Sequence, residues 1–111
     1  MSDCLFCKII AGDIPADIVY QDDKILVFKD INPKADVHLL VIPKVHIESL
    51  VKLNESHHDL IVYMMLKLPR LAEDQGLSGG FRTIINTGKE GGQEVFHLHI
   101  HLLGGKNLPG F

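Results

Sequence analysis

Residues 96–103 read Phe-His-Leu-His-Ile-His-Leu-Leu, and no other stretch of this chain constrains its fold so tightly. Apolar and imidazole side chains alternate with a period of two, a pattern that a β-strand sorts onto opposite faces. Phe96, Leu98, Ile100 and Leu102 are therefore expected to pack, and His97, His99 and His101 to share the other face. Three of the seven histidines in 111 residues lie in this short segment. An ordinary exposed strand face mixes Lys, Thr, Glu and Ser, so a row of imidazoles points to chemistry.

The remaining elements follow from periodicity and punctuation. Leu5, Phe6, Ile9 and Ile10 have helical spacing within Cys4 to Ala11, and Gly12 supplies a C-cap. Strands are expected at Ile18 to Tyr20, Ile25 to Phe28 and His38 to Ile42, the first two joined as a hairpin by Gln21-Asp22-Asp23-Lys24. A long helix is expected from Ser56, where Ser56-His57-His58-Asp59 has a capping-box layout. Leu60, Met64, Leu68 and Leu71 form its apolar stripe, Pro69 is expected to kink it, and Gly76 to end it. Phe81 to Thr87 and Phe96 to Leu103 complete five strands and two helices, an α+β domain with a mostly antiparallel sheet. No repeat or linker divides residues 1–111, which are read as one domain.

Two chemistries suit the histidine face. A catalytic metal takes three protein ligands, but strand residues two apart are separated by nearly 7 Å, so one ion reaches two of these rings more easily than three. Nucleophilic catalysis instead uses a row: the middle imidazole attacks while its neighbours fix its tautomer and handle protons. Gly88, Gly91 and Gly92 just upstream favour the second, because a glycine-rich loop can turn its amides toward a phosphoryl group as an anion-binding nest. Taken alone, the loop reads equally well as a flexible hairpin connection.

Composition narrows the partners. The formal charge is −3 with acids and bases interleaved, leaving no basic stripe for a polynucleotide backbone. No apolar run is long enough for a membrane span, and Met1-Ser2-Asp3-Cys4 lacks a signal-peptide layout, so a cytoplasmic protein is expected.

With these residues in view, the chain resembles the histidine-triad (HIT) family, and within it the nucleotide-binding branch of nucleoside phosphoramidases. His97-Leu98-His99-Ile100-His101-Leu102-Leu103 fits the family's H-x-H-x-H-x-x pattern. Phe6 to Pro15, Asp30-Ile31-Asn32-Pro33, His38 to Lys44 and Gly91-Gly92-Gln93 extend the likeness over the chain. The resemblance implies a purine nucleoside monophosphate site, hydrolysis of phosphoramidates through a nucleotidyl-histidine, and a homodimer whose sheet continues across the interface. It matches His99 to the nucleophile and His38, His97 and His101 to the supporting imidazoles. Asp30 matches the ribose-binding acid, Asn86 a phosphate-side residue, and Leu5, Phe6, Ile9, Phe28 and Ile31 the base pocket. The glycine-rich segment adds Gly92, Gln93 and Glu94 to the nucleotide-binding set; Glu94 departs from the serine of eukaryotic members. The alternatives are a nucleotide-binding regulator with little turnover and a dinucleoside polyphosphate hydrolase, the latter disfavoured by Leu103-Gly104-Gly105.

Cys4 and Cys7 are too close in sequence for a disulfide framework, and the thioredoxin-like context of a redox pair is missing. Some HIT members hold a structural zinc with such a pair and two histidines. The resemblance makes Cys4, Cys7, His46 and His97 the candidate ligands; the alternative is two reduced thiols on a helix. No cofactor is expected to be required for the chemistry itself.

Overall fold

The computed structural model describes residues 3–110. Helix α1 (Leu5–Ala11) leads into strands β1 (Ile18–Gln21), β2 (Ile25–Lys29) and β3 (Val37–Pro43). Two 3-10 turns, Leu50–Lys52 and Glu55–His57, precede helix α2 (His58–Asp74), and strands β4 (Arg82–Ile84) and β5 (Ile100–Gly104) follow. The five strands form one antiparallel sheet in the order β1-β2-β3-β5-β4. The expected β1–β2 hairpin is present.

Helices cover both faces of the central strands. On one face Met64, Leu68, Leu71 and Ala72 of α2 pack onto Ile25, Val27, Leu39, Val41, Ile100 and Leu102. On the other, Phe6 and Ile9 of α1 pack onto Leu26, Phe28, Leu40 and Ile42. This double cover explains why β2 and β3 read as unbroken apolar runs where a one-sided strand would alternate. Each fully buried Leu or Ile contributes about 1.5–3 kcal/mol, so the sheet is a rigid platform for whatever its edges carry.

The helix ends show how local chemistry was read and misread. Gly12 ends α1 at φ 84°, a left-handed position that glycine adopts freely, and its amide donates to Ile9 O at 3.0 Å. Before α2 the cap is Asn54, with Ser56 inside the turn. Asn54 Oδ1 accepts from the Ser56 amide at 2.9 Å, His57 Nδ1 accepts from the Asn54 amide at 3.1 Å, and the Ser56 hydroxyl itself donates to Asn54 Oδ1. A 3-10 turn thus precedes the α-helix, which starts at His58. Pro69 lies within α2 without ending it, and Gly76 follows the C-cap at φ 78°.

The histidine segment departs most from expectation. Only Ile100–Gly104 forms a strand; residues 95–97 bend away from the sheet. Leu98 donates its amide to Ile47 O, beyond the end of β3, at 2.6 Å. β4 stops short of the expected Thr87; its register sets Asn86 and Thr87 opposite His99 and Leu98, which lie outside β5. Phe96, expected in the core, is 43% exposed. Leu98, Ile100 and Leu102 are buried as expected.

Among the described residues no helix is long and apolar enough to cross a membrane.

Candidate functional site

The histidines are buried under α1. His97 is wholly inaccessible and His99 is 6% exposed, because Phe6 reaches over them. The Phe6 ring meets His99 edge-on at 5.1 Å and His97 at 6.0 Å, and also stacks edge-on against Phe28 at 5.4 Å.

Each imidazole has its tautomer fixed by a neighbour. His99 Nδ1 lies 2.7 Å from His97 O; a carbonyl only accepts, so Nδ1 carries the proton and Nε2 keeps its lone pair. The Lys34 amide donates to His38 Nδ1 at 3.1 Å, which puts the His38 proton on Nε2. His38 Nε2 in turn donates to His101 Nδ1 at 2.9 Å, leaving His101 with a donor at Nε2. The His99 and His101 rings are 5.0 Å apart. Burial, with the neighbouring His99 and His38, pushes His101 down to about 4, so it is neutral at pH 7. Burial also lowers His38, against the pull of Asp30, whose Oδ2 lies 3.4 Å from His38 Nε2. The other Asp30 oxygen accepts from the Asn32 amide at 2.8 Å. Asp30, His38 and His101 cluster closely, but the 2.9 Å contact is a hydrogen bond; two nitrogens on a tetrahedral zinc stand about 3.3 Å apart.

A cavity of about 630 Å³ opens over this array. Its lining includes Leu5, Phe6, Ile9, Phe28, Asp30, Ile31, His38, Asn86, Gly92, Glu94, His99 and His101, twelve positions singled out in the sequence. Ile31 is 89% exposed and sits at the rim, where a deep wall was expected. Ile14, Pro15, Ala16 and Val95 extend the apolar end, and Lys34 and Arg82 add cations; sequence reasoning gave these no role. Ile14-Pro15 lay in a quoted family segment, so a signal for them existed.

Two expected contributors lie outside the cavity lining. Gln93 is 4% exposed and its side chain is fully spent on the backbone: Nε2 donates to Glu48 O at 2.8 Å and Val95 O at 3.0 Å, and Oε1 accepts from the Gly88 amide at 2.8 Å. The loop it grips is a self-bonded turn, not the open nest expected. The Gly91 and Gln93 amides donate to Gly88 O and the Gly92 amide to Lys89 O. Gly91 is required there, since a Cβ would lie 2.3 Å from Thr87 O. Gly92 and Glu94, on either side of Gln93, are what the turn presents to the cavity.

His97, the second absentee, turns toward the cysteines. Its Nε2–H donates to Pro43 O at 2.8 Å, which leaves Nδ1 unprotonated and facing Cys4 Sγ at 3.4 Å and Cys7 Sγ at 3.6 Å. Cys7 Sγ is also 3.4 Å from His46 Nδ1. The four ligand atoms lie within 4.8 Å of one another. A tetrahedral zinc with sulfur at about 2.3 Å and nitrogen at about 2.0–2.1 Å has sulfur–nitrogen edges of about 3.6 Å, so the residues fit the ion. The Pro43 carbonyl supplies the second hydrogen bond that orients a ligating imidazole. Burial, with the adjacent Cys4, raises the Cys7 thiol.

The chain is similar to known proteins over nearly its whole length. A family model described as scavenger mRNA decapping enzyme C-term binding matches residues 3–110. Protein HitA of Neisseria gonorrhoeae is 58% identical over 104 residues, covering 94% of this chain and 97% of that protein. A 14 kDa zinc-binding protein of Brassica juncea is 44% identical over 108 residues, 96% of each. Among solved structures, a HIT family hydrolase from Legionella pneumophila superposes with a TM-score of 0.93 at 44% identity, covering 96% of both chains. A histidine triad protein from Clostridium difficile gives 0.95 at 45% identity, covering 100% of this chain and 97% of that one.

Proposed function

Because the chain belongs to the histidine-triad family, we propose that it is a hydrolase that releases purine nucleoside 5′-monophosphates from phosphoramidates, with His99 as nucleophile. The observation that carries this reading is the 2.7 Å bond from His99 Nδ1 to His97 O in a buried ring that lines the cavity. It fixes the tautomer of the neutral ring, with the proton on the far nitrogen and the lone pair on Nε2, the atom that attacks.

The steps balance with the residues present. Purine and ribose occupy the apolar end, with Asp30 Oδ2, which lies beside His38, accepting from the ribose hydroxyls. His99 Nε2 forms a bond to phosphorus as the P–N bond breaks. The amine departs with a proton from water at the open rim, because a neutral His101 is no acid at pH 7. Instead, His101 Nε2–H and Asn86 hydrogen-bond the phosphoryl oxygens, whose charge grows in the transition state. Water then attacks phosphorus, breaking the bond to Nε2; the proton it gives up neutralises the hydroxide left when the amine was protonated, and the monophosphate leaves with His99 restored.

Cys4, Cys7, His46 and His97 would hold a zinc that takes no part in these steps and would tie α1 to the segment after β3. A cytoplasmic setting keeps both thiols reduced for it. A homodimer completes the proposal. Met65 and Leu66 of α2 are 43% and 71% exposed, and β4 leaves a free sheet edge that a second copy can pair.

The test is His99→Ala assayed on aminoacyl nucleoside phosphoramidates beside dinucleoside polyphosphates. Turnover of the phosphoramidate is expected to vanish while nucleotide binding persists, and rapid-quench mass spectrometry of the unmodified enzyme to trap a nucleotide on the His99 peptide. Near-normal hydrolysis by His99→Ala overturns the mechanism; preferential cleavage of the polyphosphates overturns the substrate class.

A further inference from the structure

The metal cluster and the nucleotide cavity share two walls. Cys4 caps α1, accepting the Cys7 amide at 3.3 Å, and Cys7 sits in the helix's first turn. Leu5 and Phe6, the residues between the two thiols, line the cavity. From the other side His97 directs Nδ1 at the thiols while its backbone carbonyl holds His99 Nδ1. One residue between two ligands therefore packs on the nucleophile, and a third ligand fixes that nucleophile's proton.

These connections are weak without an ion. Thiol–imidazole contacts at 3.4–3.6 Å are poor hydrogen bonds. A seven-residue helix has little stability of its own, so its placement depends on what anchors it. Four coordinate bonds would fix the start of α1, the segment after β3 and residue 97 relative to one another. The central core of Ile25, Val41, Met64 and Leu102 lies apart from the cluster and holds the fold in either state.

We propose that metal occupancy of the Cys4–Cys7–His46–His97 cluster sets the affinity of the cavity for nucleotide, so that the two sites are positively linked. Cys4, Cys7 and His46 are then positioning residues, acting through α1 and residue 97. The inference rests on the reading of the cavity as a nucleotide site. Linkage is reciprocal: whatever factor the metal adds to nucleotide affinity, nucleotide adds to metal affinity.

The experiment compares zinc-loaded protein with protein stripped by chelator under reducing conditions, both checked for folding by circular dichroism. Calorimetry with AMP and GMP is expected to show at least about 5-fold weaker binding to the stripped form, the lower end of ordinary coupling between sites. Competition with a chromogenic chelator should show zinc held more tightly, by the same factor, when the better-binding nucleotide is saturating. Cys7→Ser should bind nucleotide like the stripped protein at any zinc concentration. Equal nucleotide affinity in both forms overturns the linkage and leaves the proposed function standing. Failure to take up zinc also overturns it, as does unfolding of the stripped protein, which would make the metal a support of the whole fold. Absence of AMP and GMP binding in both forms refutes the nucleotide reading itself, and the linkage with it.

Discussion

Replacing Gln93 by Leu tests whether the glycine-rich loop is held by a single side chain. The amide makes three hydrogen bonds to main-chain groups: Glu48 O, Val95 O and the Gly88 amide. Each contributes about 0.5–1.5 kcal/mol net, and leucine blocks the water that would otherwise replace them. Because Gly88 is half-buried and Lys89 and Glu90 are exposed, part of the loop can loosen and reach solvent, which trims the sum. The expected loss is about 2–3 kcal/mol, read as a lower urea midpoint with unchanged slope. Gln93→Glu sharpens the test at neutral pH. It keeps the acceptor for Gly88 but replaces Nε2, with both its N–H donors, by one oxygen facing the Glu48 and Val95 carbonyls, so it should be worse than leucine. Both changes should also reduce kcat/KM, because Gly92 and Glu94 flank the anchor in the cavity wall. A Leu variant within about 0.5 kcal/mol of the parent, the spread of ordinary surface changes, refutes the account. So does a Glu variant more stable than the Leu one.

Other outcomes follow from the same geometry. Burial alone would raise Asp22, but hydrogen bonds from Tyr63, the Ile25 and Lys24 amides and Tyr20 outweigh it and hold the carboxyl well below its usual range. A depressed folded-state value gives stability present above about pH 4 and lost as pH falls below it, so Asp22→Asn should flatten the acid limb of the urea midpoint against pH. An unchanged acid limb counts against this role. Asp30→Ala should weaken nucleoside monophosphate binding by about 1.5–3 kcal/mol in calorimetry, whereas equal binding of ribo- and dideoxyribonucleotides by the parent would remove Asp30 from ribose recognition. Light scattering should find a dimer; an active monomer of 12.4 kDa at micromolar concentration excludes it.

Much of this was legible because the sequence carries it locally. The Gly12 cap, the hairpin at 21–24 and the stop at Gly76 each rest on one or two neighbouring residues, and each is present. What was misread depends on partners distant in sequence. Ser56 and Asn54 are equally good cap residues by type, and only the 3-10 turn decides between them. The glycine loop looked like a phosphate nest because nothing nearby shows that its amides are spent within the turn. Gln93 was placed among the ligand contacts, whereas its partner Glu48 lies 45 residues away.

The bend at 95–97 accounts for the division of labour among three histidines that alternate identically in sequence. On a straight strand His97 and His101 would lie about 13 Å apart on one face, and all three rings would be equivalent neighbours. Period-two patterning says nothing against that arrangement. The override comes from outside: the Leu98 amide pairs with Ile47 O, and the His97 ring with Pro43 O, both at the far end of β3. His97 is thereby removed from the cavity and given to the cysteines, while His101 stays in the ladder, opposite Leu40, with His38 beside its ring. His99, between them, touches the His101 ring edge-on at 5.0 Å but shares a hydrogen bond with neither ring. Its Nδ1 hydrogen bond runs to the backbone of its displaced neighbour, so the same bend that builds the metal cluster also presents His99 Nε2 to the cavity.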